Sequence, residues 1–141
     1  VFIVFFLLIY LISMFKYVLS DKGDGYIMAA LKRITSIEEL TEAMEDSVHG
    51  PLLLFKHSTR CPISSGAHRE VEAYLSQSPN EAVTYGVIYV VEDRGVSNAA
   101  AERLGVKHES PQAILVKNEQ AVWHTSHSDI TSEALEGILA E

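Results

Sequence analysis

Two short apolar stretches separated by a helix-length segment constrain this chain most. "PLLLFKH" (51–57) holds a continuous apolar run from Leu52 to Phe55, the pattern of a strand buried on both faces. "AVTYGVIYVVED" (82–93) is a second such strand, rich in β-branched and aromatic residues. Between them, Pro62 stands where a helix best tolerates proline, in its first turn. Ile63, Ala67, Val71, Tyr74 and Leu75 follow at the spacing of one inner helix face. Strand, helix and strand in this order pair in parallel through a right-handed crossover.

The rest of the chain is built around that unit. "SIEELTEAMEDSV" opens with a Ser36-x-x-Glu39 capping box and spaces Ile37, Leu40, Met44 and Val48 as a buried stripe, so a helix precedes the first strand. "SNAAAERLG" predicts a short helix closed by Gly105. Residues 113–116 and 121–125 then read as two strands joined by a tight turn at Asn118-Glu119, hence antiparallel. An amphipathic helix, "DITSEALEGILAE", ends the chain. The predicted architecture is an α/β domain with a four-stranded mixed sheet, two strands parallel and two antiparallel, flanked by helices and preceded by one extra N-terminal helix.

Charge and cysteine usage narrow the function classes. The net charge is −8, and the two lysines and two aspartates of residues 1–27 cancel, so the whole excess sits on residues 28–141. Such a domain repels polyanions, and no nucleic-acid partner is expected. One cysteine cannot form an internal disulfide, which fits a reducing compartment and a cytoplasmic location. Residues 1–27 are set apart: "VFIVFFLLIYLISMF" is apolar except for Ser13 and is borderline in length for crossing a bilayer. The chain opens on Val1, and the first methionine that begins a well-formed domain is Met28. The extension is therefore read first as a misassigned start, next as a membrane anchor and last as a buried core helix. If residues 1–15 do span, Lys16, Lys22, Lys32 and Arg33 follow them and leave the domain facing the cytoplasm.

The lone thiol lies in "HSTRCPIS" (57–64), at the end of the first strand and the start of the helix. A cysteine there meets the positive end of the helix dipole and unpaired amides, which favour the nucleophilic thiolate. Arg60 and Lys56 bring positive charge close in sequence, with Lys56 directed to the other side of its strand. Ser58, Thr59 and Ser64 are candidate donors to the sulfur. The C-terminal end of a strand is also where α/β sheets place their sites. Ser110-Pro111, just before a later strand, is the second feature, because a cis X-Pro bond there would present backbone groups to an extended ligand. A zinc site from His57, Cys61 and His68 is the obvious rival, but His68 falls nearly two turns beyond Cys61. No metal is expected. His124 and His127 read as strand-end surface residues, and Trp123 as a core aromatic. No carboxylate pair suits acid–base hydrolysis, and there is no Gly-rich phosphate loop.

The element order, the cysteine at the helix start and Ser110-Pro111 before a strand resemble the thioredoxin fold. "KHSTRCPIS" together with "SPQAILVKNEQAVWHTSH" resembles the monothiol bacilliredoxins of the bacillithiol system, over residues 28–141. Arg60 stands where that family's motif carries a small hydroxyl residue. The resemblance implies a thiol–disulfide oxidoreductase in which Cys61 is the nucleophile, supported by Pro62, Ser64, Thr59 and Arg60, with Ser110 and Pro111 against the substrate. It implies bacillithiolated client proteins as partners, bacillithiol as co-substrate, no resident cofactor, and bacillithiol or a partner reductant to regenerate the thiol. Ser64 would occupy the place of a resolving cysteine. An iron–sulfur-carrying monothiol glutaredoxin is the alternative from the same fold, but its glycine after the cysteine is Pro62 here. A non-enzymatic adaptor, indifferent to Cys61→Ser, is the other alternative.

Overall fold

The computed structural model describes residues 30–77 and 79–140; the 1–27 extension and its Met28 boundary lie outside them. Along the described chain run β1 (Lys32–Arg33), α1 (Ile37–Asp46), β2 (Leu52–His57), α2 (Pro62–Leu75), β3 (Thr84–Tyr89), α3 (Arg94–Leu104), β4 (Gln112–Lys117), β5 (Gln120–Ser126), a 3₁₀ turn (His127–Asp129) and α4 (Ser132–Leu139). They form one sheet in the order β1-β3-β2-β4-β5. β2 pairs with β3 in parallel and with β4 antiparallel, and β4 pairs with β5 antiparallel. The sheet thus has five strands rather than the four expected. The addition, β1, is a two-residue strand lying parallel to β3, and both its residues are exposed. It carries no apolar period of its own, and pairing with the edge of β3 is what makes it a strand.

Each element's sequence accounts for its ends. Ser36 caps α1 by accepting the Glu39 N–H at 3.1 Å, while the Glu39 carboxylate reaches past the cap to the Thr35 N–H at 2.8 Å. The α1 stripe is narrower than the spacing suggested: Leu40 and Met44 are buried, whereas Ile37, the first helical residue, and Val48, beyond the helix end at Asp46, are exposed. Gly105 closes α3 in the left-handed conformation, φ 63°. Asn118 and Glu119 both take positive φ in the β4–β5 turn, the signature of a two-residue hairpin. Their N–H groups are held by the Ser47 carbonyl at 3.0 Å and the Ser47 hydroxyl at 2.8 Å.

The two-residue period of the strands sorts side chains into two cores. Leu53 and Phe55 of β2, Tyr85 and Val87 of β3, and Ala113 and Leu115 of β4 face α2 and α4. Leu52, Leu54, Ile88, Ile114 and Val116 face α1 and α3. A register shift between Leu115 and Val116 lets Trp123 pack on the first core while Ala121 meets the second. Among the described residues no helix is long and apolar enough to cross a membrane.

At the end of the sheet remote from Cys61, the buried Tyr74 and Tyr85 hydroxyls lie 3.0 Å apart. Tyr85 donates to the Asn80 carbonyl at 2.9 Å, and the Asn80 N–H donates to the Tyr74 oxygen at 3.1 Å. Tyr74 must therefore give its own proton to Tyr85, whose ionisation burial pushes far up. Tyr85→Phe strands that proton in the core and is expected to cost about 1–3 kcal/mol. Chemical denaturation measures it, and a loss near zero would show that the network does not anchor this end.

Candidate functional site

β2, hydrogen-bonded on both sides, ends at His57, and three residues of loop later the chain enters α2. Cys61 is the N-cap of that helix, with extended backbone (φ −107°, ψ 124°) and Pro62 as the first helical residue. Its N–H turns back to the Ser58 carbonyl at 3.4 Å, and its carbonyl accepts the Ser65 N–H at 3.0 Å, the first bond of the helix. Cys61 is half-buried and free of disulfide. Since proline has no N–H, the first-turn amides nearest the thiol are those of Ile63 and Ser64, which by helix geometry have no intrahelical acceptor. Pro62, Ile63, Thr59 and Arg60 are all exposed around it; Ile63, expected to begin the inner face of α2, is instead exposed in the first turn, and the buried face starts at Ser64. This arrangement suits a solvent-accessible nucleophile, and it is the reverse of a cysteine packed as a core hydrophobe.

The predicted supporting residues separate into two groups. Thr59 turns to Glu92, its hydroxyl 3.5 Å from the carboxylate. Ser64 does not face the sulfur as a donor; it is fully buried. Its hydroxyl accepts the Ser58 N–H at 2.8 Å and lies 2.7 Å from Nδ1 of His57. The hydroxyl is drawn inward because it is the one polar side chain of the first helical turn that points at the sheet. Lys56, close to the thiol in sequence, is on the opposite face of β2, as the alternation of the strand predicted. It is fully buried there, donating to the Ser97 carbonyl at 3.0 Å and to Nδ1 of His108 at 3.2 Å.

Ser110-Pro111 is a cis peptide, as the sequence suggested. Lys56 pairs with Gln112, which puts Ser110 and Pro111 beyond the C-terminal end of β2, at the sheet edge where Cys61 lies. Pro111 is buried and its carbonyl already accepts the His127 N–H at 2.9 Å. The Ser110 hydroxyl is buried and makes no hydrogen bond among the described residues.

The two histidines weighed as zinc ligands do meet. The rings of His57 and His68 stack at 4.7 Å with planes 18° apart, and Phe55 stacks on both, at 5.6 and 6.1 Å. Imidazole lone pairs lie in the ring plane, so stacked rings direct them side by side rather than toward one point. Among the described residues no group of three His, Cys, Asp or Glu side chains is placed to hold a metal. His57 is the site residue whose place the sequence reading missed. The signal was present: it continues the odd-numbered face of Leu53 and Phe55, the face that meets α2.

Comparison with known proteins agrees with this geometry. Residues 32–135 match the family described as monothiol bacilliredoxin BrxC. Among solved structures, one described by its thioredoxin fold aligns with a TM-score of 0.69 at 27% identity, covering 84% of this chain and all of that one. The thioredoxins of Malassezia sympodialis and Trypanosoma brucei brucei align with TM-scores of 0.66 and 0.64 at 12% and 11% identity. The former alignment covers 84% of this chain and 96% of that protein, and the latter 85% and 100%. At those identities they speak to the fold alone. The architecture is a thioredoxin-like fold, and the protein is a thiol redox protein.

Burial of Lys56 has a measurable consequence. It lowers the amine from the ordinary 10.5 to about 8. Between these values the unfolded chain holds a proton that the folded chain does not, so stability rises with pH across that window and is flat below it. Lys56→Met is expected to flatten the rise. Denaturation midpoints at pH 7, 8, 9 and 10 check this, and an unchanged slope would contradict it.

Proposed function

We propose that this chain, which belongs to the monothiol bacilliredoxin family, removes bacillithiol from mixed disulfides on client proteins, with Cys61 as the nucleophile. The observation that carries the reading is the half-buried, disulfide-free Cys61 as the N-cap of α2, at the same end of the sheet as Ser110-Pro111. The Cys61 thiolate attacks the bacillithiol sulfur of the client disulfide. The bond from Cys61 to bacillithiol forms, the client–bacillithiol bond breaks, and the client sulfur leaves as thiolate and takes a proton from water. The exchange conserves the oxidation level and needs no metal or nucleotide. Ser64 cannot complete a Cys-x-x-Cys disulfide, and its hydroxyl is committed to Ser58 and His57. A second thiol, bacillithiol or a partner reductant, must therefore attack the adduct and free Cys61.

Further site residues take roles consistent with their positions. Arg60, exposed beside the thiol, pairs with the malate carboxylates of bacillithiol. Pro62 removes one amide from the helix start and holds its backbone at helical φ. The unpaired Ser110 hydroxyl and its backbone receive the extended client segment, and the exposed Ile63 and Val91 offer it apolar contact. The single cysteine suits a reducing, cytoplasmic setting.

Incubation with bacillithiol disulfide is expected to add one bacillithiol to Cys61, read by intact mass and peptide mapping, and Cys61→Ser to take up none. Arg60→Ala is expected to slow adduct formation several-fold at low salt and less at high salt, the behaviour of an exposed charge pair. An iron–sulfur carrier would instead bind a coloured cluster under anaerobic purification. An adaptor would keep its activity in Cys61→Ser.

A further inference from the structure

The turn that carries Cys61 has no side-chain cap; it is held from beneath. Ser64, fully buried, bonds to the Ser58 N–H and to His57, so one hydroxyl joins the strand end, the loop and the helix. His57, also buried, touches α2 twice on one face: at Ser64 by a hydrogen bond and, four residues on, at His68 by ring stacking. The Ser58 N–H occupies one lone pair of the Ser64 oxygen, and the hydroxyl proton needs an acceptor. Nδ1 of a neutral His57 carrying its proton on Nε2 supplies it, and that tautomer satisfies all three groups.

We propose that His57 is the positioning residue for the Cys61 thiol: as a neutral imidazole it holds Ser64, and through Ser64 it holds residues 58–61 against the first turn of α2, and proton uptake loosens that hold. The biological consequence rests on the exchange reading above; the geometry does not. A protonated ring turns Nδ1 into a donor. The Ser64 oxygen then accepts two N–H groups while its own proton is left in the protein interior without a partner, at the cost of an unmade buried hydrogen bond. The groups facing the ring decide when this happens. On α2 these are His68 and Glu72, 3.7 Å apart. On β3 Tyr89 stands edge-on at 5.9 Å, beneath the Arg33 guanidinium of β1 at 4.3 Å, itself paired with Asp93 at 3.0 Å. Glu92 lies in the loop beyond. Burial, and then His68, push His57 below the ordinary histidine range, against the weaker opposing pull of a hydrogen bond to the Ser64 backbone and of the Glu92 and Glu72 carboxylates. The lock is therefore closed at neutral pH and opens on acidification.

The test is the alkylation rate of Cys61 by iodoacetamide from pH 5 to 9 in the full chain, with folding of each variant checked by circular dichroism. The wild type is expected to show an acid-side inflection below pH 6.5 besides that of the thiol. His57→Phe and Ser64→Ala are expected to react roughly fivefold to tenfold more slowly at pH 8. His57→Gln, which keeps a hydrogen-bonding amide toward Ser64, should recover rate relative to His57→Phe and lack the acid inflection. Superimposable wild-type and His57→Gln profiles, or His57→Phe at the wild-type rate, would overturn the proposal. Nitrogen-15 spectra of the wild-type imidazoles at pH 8 give a reading that needs no variant: a proton on Nε2 of His57 supports it, and one on Nδ1 overturns it. Alkylation uses no bacillithiol, so failure here and failure to form the bacillithiol adduct are separate results.

Discussion

The site depends on the pairing of β2. This strand is bonded to β3 on one side and β4 on the other, and all six of its residues are buried. With both edges and both faces taken, the strand has no freedom of register or rotation, since a slip of one residue would turn every side chain to the wrong face. Two polar residues at its end therefore have assigned directions. Lys56 goes to the α3 face and meets Ser97 and His108; His57 goes to the α2 face and meets Ser64 and His68. Cys61 follows four residues later, so the position of the sulfur is inherited from a strand that cannot move.

Chemistry at a single thiol makes two demands that such a frame meets. The sulfur must be reachable by a bulky disulfide, and the donors that favour its anion must be in place beforehand. Cys61 sits at a helix cap rather than inside the helix, which gives access. Proline as the next residue starts the helix without an idle amide, and Ser64 fixes the first turn to the strand. Ser110-Pro111 arrives at the same edge because β4 lies antiparallel to β2 and begins opposite its end. A monothiol site of this design has given up the resolving sulfur, and the serine in its place is built into the fold.

Much of this was legible in the residues. The apolar run of β2, proline at the head of α2, Gly105 after α3, the Asn118-Glu119 turn and Pro111 before β4 each state a local rule, and the structure follows them. β1 was not legible, because Lys32 and Arg33 are polar and exposed and become a strand only against β3. Ile37 and Val48 misled because helical spacing gives a direction without saying how far the covering surface extends; α1 overlies the sheet only around Leu40 and Met44. Ser64 was placed near the thiol by sequence proximity, whereas its contacts follow from a histidine seven residues earlier. That contact depends on how a strand face and a helix face meet, which no local pattern encodes.

The central claim is that Cys61 acts alone as the exchanging thiol. It is tested most directly by single-turnover release of a client thiol from a bacillithiolated protein, with no other thiol added. One equivalent of client thiol should appear per Cys61, with a matching Cys61–bacillithiol adduct, and release should stop there until a thiol is supplied. Continued turnover without added thiol, or client release with no adduct on Cys61, would contradict it.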